Sequence, residues 1–300
     1  MTLKMDRKKL LQTLAILPLA GIAMKLKDLN TLTAPFEATD LMPVLFLGHG
    51  SPMNAIEENE FVAGIRNIGK AIPKPNAVLC ISAHWETKGT FVTAMEHPKT
   101  IHDFGGFPKA LFDVQYPAPG HPALAAETKS LIKKTTVGLD TTWGLDHGAW
   151  TVIKHLYPNA DVPVIQLSLD YYQTPQYHYD LAKELASLRR KGVLIVGSGN
   201  MVHNLGLVAW DKLNAPEYGY DWALEASAKM KKFILENNHK ELINFRGQGK
   251  AFDLAIPTPE HYLPLLYTLA LKEEKENVSL FNDKALAGSL TMTSLKISKT

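Results

Sequence analysis

"LCISAHWETKG" (79–89) carries an apolar run directly into an imidazole and an indole. Leu79, Cys80 and Ile81 suit a strand inside a sheet, and no turn residue separates them from His84 and Trp85. The same texture recurs in "PVLFLG" (43–48), "AVLCIS" (77–82), "GTFVTA" (89–94), "VPVIQLSL" (162–169) and "GVLIVGS" (192–198), short apolar runs bounded by Gly, Pro or Asn. Between them lie helical stretches over 121–134, 148–157, 177–191 and 220–237. In "LAKELASLRR" the leucines 181, 185 and 188 return at helical spacing, with charges opposite. Strands alternating with helices predict an α/β fold, a three-layer α/β/α sandwich around a mostly parallel, mixed sheet. "SLTMTSLKIS" (289–298) alternates and is expected to add a last edge strand. No repeat or linker interrupts 40–300, which reads as one domain.

Composition narrows the function classes. With 46% hydrophobic and 21% charged residues the chain has the makeup of a globular protein, and a net charge of +2 offers no clustered basic face for nucleic acid. The single cysteine, Cys80, excludes an intramolecular disulfide and a cysteine-rich zinc site. Residues 1–35 stand apart. A basic start precedes an apolar stretch from Leu10 to Met24, with small residues Ala20, Gly21 and Ala23 near its end. That pattern resembles a signal peptide, and "DRKKLL" approaches the twin-arginine export pattern. An amphipathic helix on a cytoplasmic protein is the other reading, so cytoplasm and export both stay open.

The histidines are unusually placed. His49 follows "VLFLG", His84 follows "VLCISA" and His203 follows "VLIVGSGNMV", each at the carboxyl side of a predicted strand. In an open α/β sheet those strand ends form the crevice where ligands gather. His147, in "LDHGAW", precedes a predicted helix, and His261, in "TPEHYLP", is expected near the start of another. Buried imidazoles are costly unless paired, so several at one sheet edge are poorly explained as packing. Neutral imidazole is a common ligand of zinc and iron, and a set drawn from distant loops suits a catalytic metal with an open position. Other chemistries are less well supported: "GSGN" (197–200) lacks a phosphate-loop lysine, and Ser51 sits in no nucleophile elbow.

Seven strings carry a resemblance: "LFLGHGSPMN" (45–54), "SAHW" (82–85), "TIHDFGGFP" (100–108), "YPAPG" (116–120), "DHGAW" (146–150), "GSGNMVHNL" (197–205) and "PTPEHYLPLLY" (257–267). Together, and in order over about 42–298, the chain resembles the DOPA-dioxygenase type of class III extradiol ring-cleavage dioxygenases. The resemblance implies one α/β domain that opens catechol rings with O2 at a single metal ion. It implies metal ligands at His49, His84, His203 and His261. Glu260 is an alternative to His261, because ring-cleaving relatives more widely hold ferrous iron with two histidines and a carboxylate. A four-histidine site favours zinc, Zn(2+), whereas O2 activation calls for iron, Fe(2+).

Extradiol cleavage also needs a group to move protons. An uncoordinated histidine suits that work, and His147 is the first choice, with Asp146 or a backbone carbonyl expected to fix its tautomer. His203 takes the role if it is not a ligand. His102 and Asp103 are candidates for substrate contact, and Trp85, Tyr262, Phe104 and Phe107 for the walls of an aromatic pocket. His97, His121, His155, His178 and His239 are expected to face solvent. Two other functions remain compatible with the residues: a zinc hydrolase using Glu260 or Asp146, and a non-enzymatic binding protein.

Overall fold

The computed structural model describes residues 36–299 other than 214 and 216, and the signal-like stretch 1–35 lies outside them. The strands are β1 (Val44–Gly48), β2 (Ala77–Thr87), β3 (Thr90–Thr93), β4 (Val137–Asp140), β5 (Val164–Asp170), β6 (Val193–Gly199), β7 (Asn277–Phe281), β8 (Ala285–Leu286), β9 (Leu290–Thr291) and β10 (Ser294–Ser298). The helices are α1 (Glu60–Ala71), α2 (Lys109–Phe112), α3 (Pro122–Leu131), α4 (His147–Leu156), α5 (Pro175–Lys183), α6 (Asp221–Leu235), α7 (His239–Ile243), α8 (Lys250–Ala255) and α9 (Leu263–Ala270).

Eight strands form one sheet in the order β4-β3-β5-β2-β6-β1-β10-β7. The pairs β5/β2, β2/β6 and β6/β1 are parallel, so β2, β6 and β1 end side by side at one edge. Strand alternation feeds two cores: Val44 and Phe46 face one, Leu45 and Leu47 the other. Helices α1 and α4 cover one face, and α5 and α9 the other. The expected sandwich is therefore the observed one.

Three expectations change. Strand β10 is not an edge strand: it lies between β1 and β7, antiparallel to both, with Leu295 and Ile297 fully buried. The less apolar "NVSLF" of β7 takes the edge instead, where exposed polar residues are tolerated. The predicted helix 177–191 stops as an α-helix at Lys183 and continues through a 3₁₀ turn, Ala186–Lys191. There Arg189 is buried in an ion pair with Glu276 and also donates to the carbonyls of Met42 and Leu271. Finally, His121, His155 and His178 are buried rather than solvent-facing. His121 caps α3 by accepting from the Leu124 N–H (3.0 Å), His155 donates to the Asn54 carbonyl (2.7 Å), and His178 Nδ1 meets the Tyr267 hydroxyl (3.0 Å).

Candidate metal centre

Five histidine rings meet at the shared edge of β1, β2 and β6. His49 leaves β1 directly. His84 is still inside β2, which runs three residues past it to Thr87. His147 is the first residue of α4, His203 lies four residues beyond β6, and His261 precedes α9. Two glycines let the elements come this close. A Cβ on Gly148 would stand 2.5 Å from Ser82 Oγ and 2.7 Å from His84 Cδ2. One on Gly199 would stand 2.1 Å from the His261 carbonyl oxygen.

The rings of His49, His84 and His261 form a nearly equilateral triangle, with centroids 5.0, 5.2 and 5.0 Å apart. Each turns its Nδ1 toward an oxygen. His49 Nδ1 lies 3.0 Å from Ser198 Oγ, and that hydroxyl donates onward to the Gly148 carbonyl. Because the Ser198 proton is spent there, His49 Nδ1 must carry the hydrogen of this pair. His261 Nδ1 lies 3.2 Å from Glu260 Oε1, and His84 Nδ1 lies 3.4 Å from Asp103 Oδ2. Protons on Nδ1 leave the Nε2 lone pairs free, which is how metal-binding imidazoles are usually fixed from behind. His49 Nε2 and His84 Nε2 then face each other at 3.2 Å. Two bare lone pairs at that distance repel, but a cation between them resolves the contact. Tetrahedral metal–nitrogen bonds near 2.0–2.1 Å put neighbouring ligand nitrogens about 3.3 Å apart. The donor set fits a metal ion.

The other two rings lie outside this triangle. His203, expected among the ligands, is stacked flat on His261 with centroids 3.5 Å apart and planes 8° from parallel. His147 packs against His84 at 3.8 Å and stands 5.8 Å from His49. By distance alone one ligand atom each from His49, His84 and His147 falls within 4.8 Å of the others, and so do atoms of His203, Glu260 and His261. Both sets therefore belong to one polar cluster.

Burial keeps His49, His84, His203 and His261 neutral. It lowers His49 well below the ordinary histidine range, with the neighbouring histidines adding to the effect. Burial, then His147 and His261, pushes His84 down to about 2, against the pull of Asp103. His203 falls to about 3, mainly by burial and then through His261. For Glu260, burial works upward but is outweighed by His261, its own backbone N–H and Thr258, which bring it to about 2. Burial likewise raises Asp103, and His147 more than offsets it to leave a lowered carboxyl. The centre is thus neutral imidazoles backed by two carboxylates, a composition that favours a cation.

The substrate candidates separate. Phe104 packs edge-on against His147 at 5.5 Å and against Phe107 and Phe112, giving the site an aromatic flank. His102 joins that group, but its Nε2 donates to the Val114 carbonyl (2.9 Å). Asp103 faces His84 and His147. Trp85 is buried, stacked on Trp143. Tyr262 does not wall the site: it is core packing against Phe245, its hydroxyl donating to the Leu242 carbonyl (3.0 Å). Asp146, expected to orient His147, instead caps α4 through the Ala149 N–H and accepts from Ser82 Oγ (2.6 Å) and Trp143 Nε1. Ser198, the residue behind His49, is a functional position with little mark in the sequence. Its only signal was membership of the "GSG" strand end.

Residues 43–282 match the family described as the catalytic LigB subunit of aromatic ring-opening dioxygenase. The chain is 45% identical over 260 residues to the Escherichia coli K12 4,5-DOPA dioxygenase extradiol, covering 85% of this chain and 94% of that one. It is 33% identical to the Beta vulgaris protein of the same name, over 87% and 98% of the two chains. The crystal structure of an uncharacterized Escherichia coli K12 protein superposes with a TM-score of 0.74 at 39% identity, over 86% of this chain and all of that one.

Proposed function

Because the chain belongs to the LigB family of aromatic ring-opening dioxygenases, we propose that it opens a catechol such as DOPA with O2, at one divalent ion held by His49, His84 and His261. The observation carrying this reading is the ring triangle, in which each Nδ1 is turned to an oxygen and the Nε2 atoms of His49 and His84 face each other at 3.2 Å. Glu260 on this reading is not a ligand but the acceptor that orients His261. We assign the working ion as iron(II), since zinc has no redox chemistry of its own. The bound ion supplies Lewis acidity toward the catechol oxygens and the capacity to engage O2.

The protein's share is binding and proton handling. Phe104 flanks the space beside His147 and suits the face of an aromatic ring. His147, outside the triangle, accepts a catechol hydroxyl proton and returns it later in the reaction. His203, on the far side against His261, is the second free imidazole and is assigned to hydrogen-bond the bound ring. DOPA is the substrate named for the curated relatives, and it carries both the catechol and a side chain to be recognised. Family membership and the metal-competent centre favour ring opening over the hydrolase and binding-protein alternatives. The test is oxygen uptake by anaerobically iron-loaded protein. A DOPA-like catechol should consume O2 and give a yellow ring-opened product, and no uptake with any catechol refutes the reading.

A further inference from the structure

We infer that Asp103 is a shared positioning residue, one carboxylate that orients both the metal ligand His84 and the proton carrier His147. Its Oδ2 lies 3.4 Å from His84 Nδ1 and 3.0 Å from His147 Nδ1. Its Oδ1 accepts the His147 backbone N–H at 2.8 Å. A carboxylate has lone pairs enough for all three contacts, and no other acid stands at either Nδ1 among the described residues. The inference rests on the ion site proposed above.

Asp103 is held where it can do this. Segment 99–103 is stitched to the start of α4: the Leu145 N–H donates to the Lys99 carbonyl (2.8 Å), and the Ile101 N–H to the Leu145 carbonyl (2.7 Å). Trp150 Nε1 donates to the Ile101 carbonyl (2.9 Å). The His147 side chain makes no well-aligned hydrogen bond at Nδ1, although the carboxylate is at hydrogen-bonding distance. That ring is packed between His84 and Phe104, with the carboxylate oxygen 3.0 Å from its Nδ1. An imidazolium formed at His147 during turnover would meet a counter-charge already in place, while the same charge fixes the tautomer of His84. The ion's grip and the proton's acceptor are thereby coupled through one side chain.

The experiment compares wild type, D103N, D103E, H147Q and the double variant D103N/H147Q. Cobalt or zinc affinity is read by competition with a chromophoric chelator, and kcat and KM with the ion saturating. D103N should bind the ion about 10–100-fold more weakly, the usual cost of losing a partner behind a ligating histidine. With ion saturating it should lose kcat and leave KM for the catechol nearly unchanged. H147Q should lose kcat but keep its ion affinity, and the double variant should turn over no more slowly than H147Q, because Asp103 acts on the proton through His147. D103E keeps the charge displaced by one methylene and should fall between wild type and D103N, so it decides the matter if D103N does not fold. Wild-type ion affinity and kcat in either Asp103 variant overturns the inference. A wild-type protein that binds no ion refutes the site itself, a separate failure.

Discussion

His261 and His147 are both close to His49 and His84, yet the roles assigned to them differ, and ion binding separates the two. His261→Ala removes one corner of the 5.0–5.2 Å triangle and should abolish stoichiometric cobalt binding while circular dichroism stays native. His203→Ala should retain the ion, since its ring lies flat on His261 rather than in the triangle. Full cobalt occupancy in His261→Ala, or its loss in His203→Ala, would reverse the assignment. At this scale the sequence revealed His49 and His84 because both sit at the ends of apolar runs, where a polar ring has no packing reason to be. It could not show the partner behind each ring. Asp103 is 19 positions after His84 and 44 before His147, and only folding brings the three together.

Helix α4 approaches β2 so closely that its second residue must be glycine. Ala is ordinarily the better helix former by about 1 kcal/mol, so on an open helix Gly148→Ala would stabilise. Here the added methyl would meet Ser82 Oγ at 2.5 Å and the His84 ring at 2.7 Å. Overpacking of that kind costs about 1–3 kcal/mol, and the cheapest relief is rotation of His84 away from the ion. Gly148→Ala should lower the melting temperature and weaken cobalt binding at least about tenfold, by the same loss of ligand orientation. A more stable variant with unchanged affinity would show that the helix can recoil freely. The helix itself was legible as the stretch 148–157, which the structure starts one residue earlier, behind the Asp146 cap. The depth to which it is pressed was not, since closeness of approach has no local signature beyond the glycine.

Across the whole molecule, acid sensitivity should expose one histidine whose burial the sequence hid. His178, on α5, is fully buried, and burial holds its pKa near 4, below the ordinary value of 6.5. Its folded pKa is lowered, so between about pH 6.5 and 4 the unfolded chain binds a proton that the native protein refuses. The resulting stabilisation is complete above pH 6.5 and is lost as pH falls toward 4. Between pH 7 and 4.5 this one group should cost about 2–3 kcal/mol. His178→Gln, which can still meet the Tyr267 hydroxyl, should flatten the drop seen in urea unfolding at the two pH values. An equal drop in both proteins would assign the acid loss to other groups. The amphipathic pattern of "YHYDLAKEL" places leucines inward but does not say how far round the helix the core extends, which depends on α9 packing beside α5. By itself the sequence determined the alternation of strands and helices and the edge of the sheet at which the histidines collect. Those follow from local periodicity and from the direction of parallel strands. The tertiary structure alone decided that β10 enters the sheet's interior, that Tyr262 belongs to the core, and that Asp103 rather than Asp146 stands behind His147. Each of those depends on distances between segments remote in the chain, which no local pattern of side chains encodes.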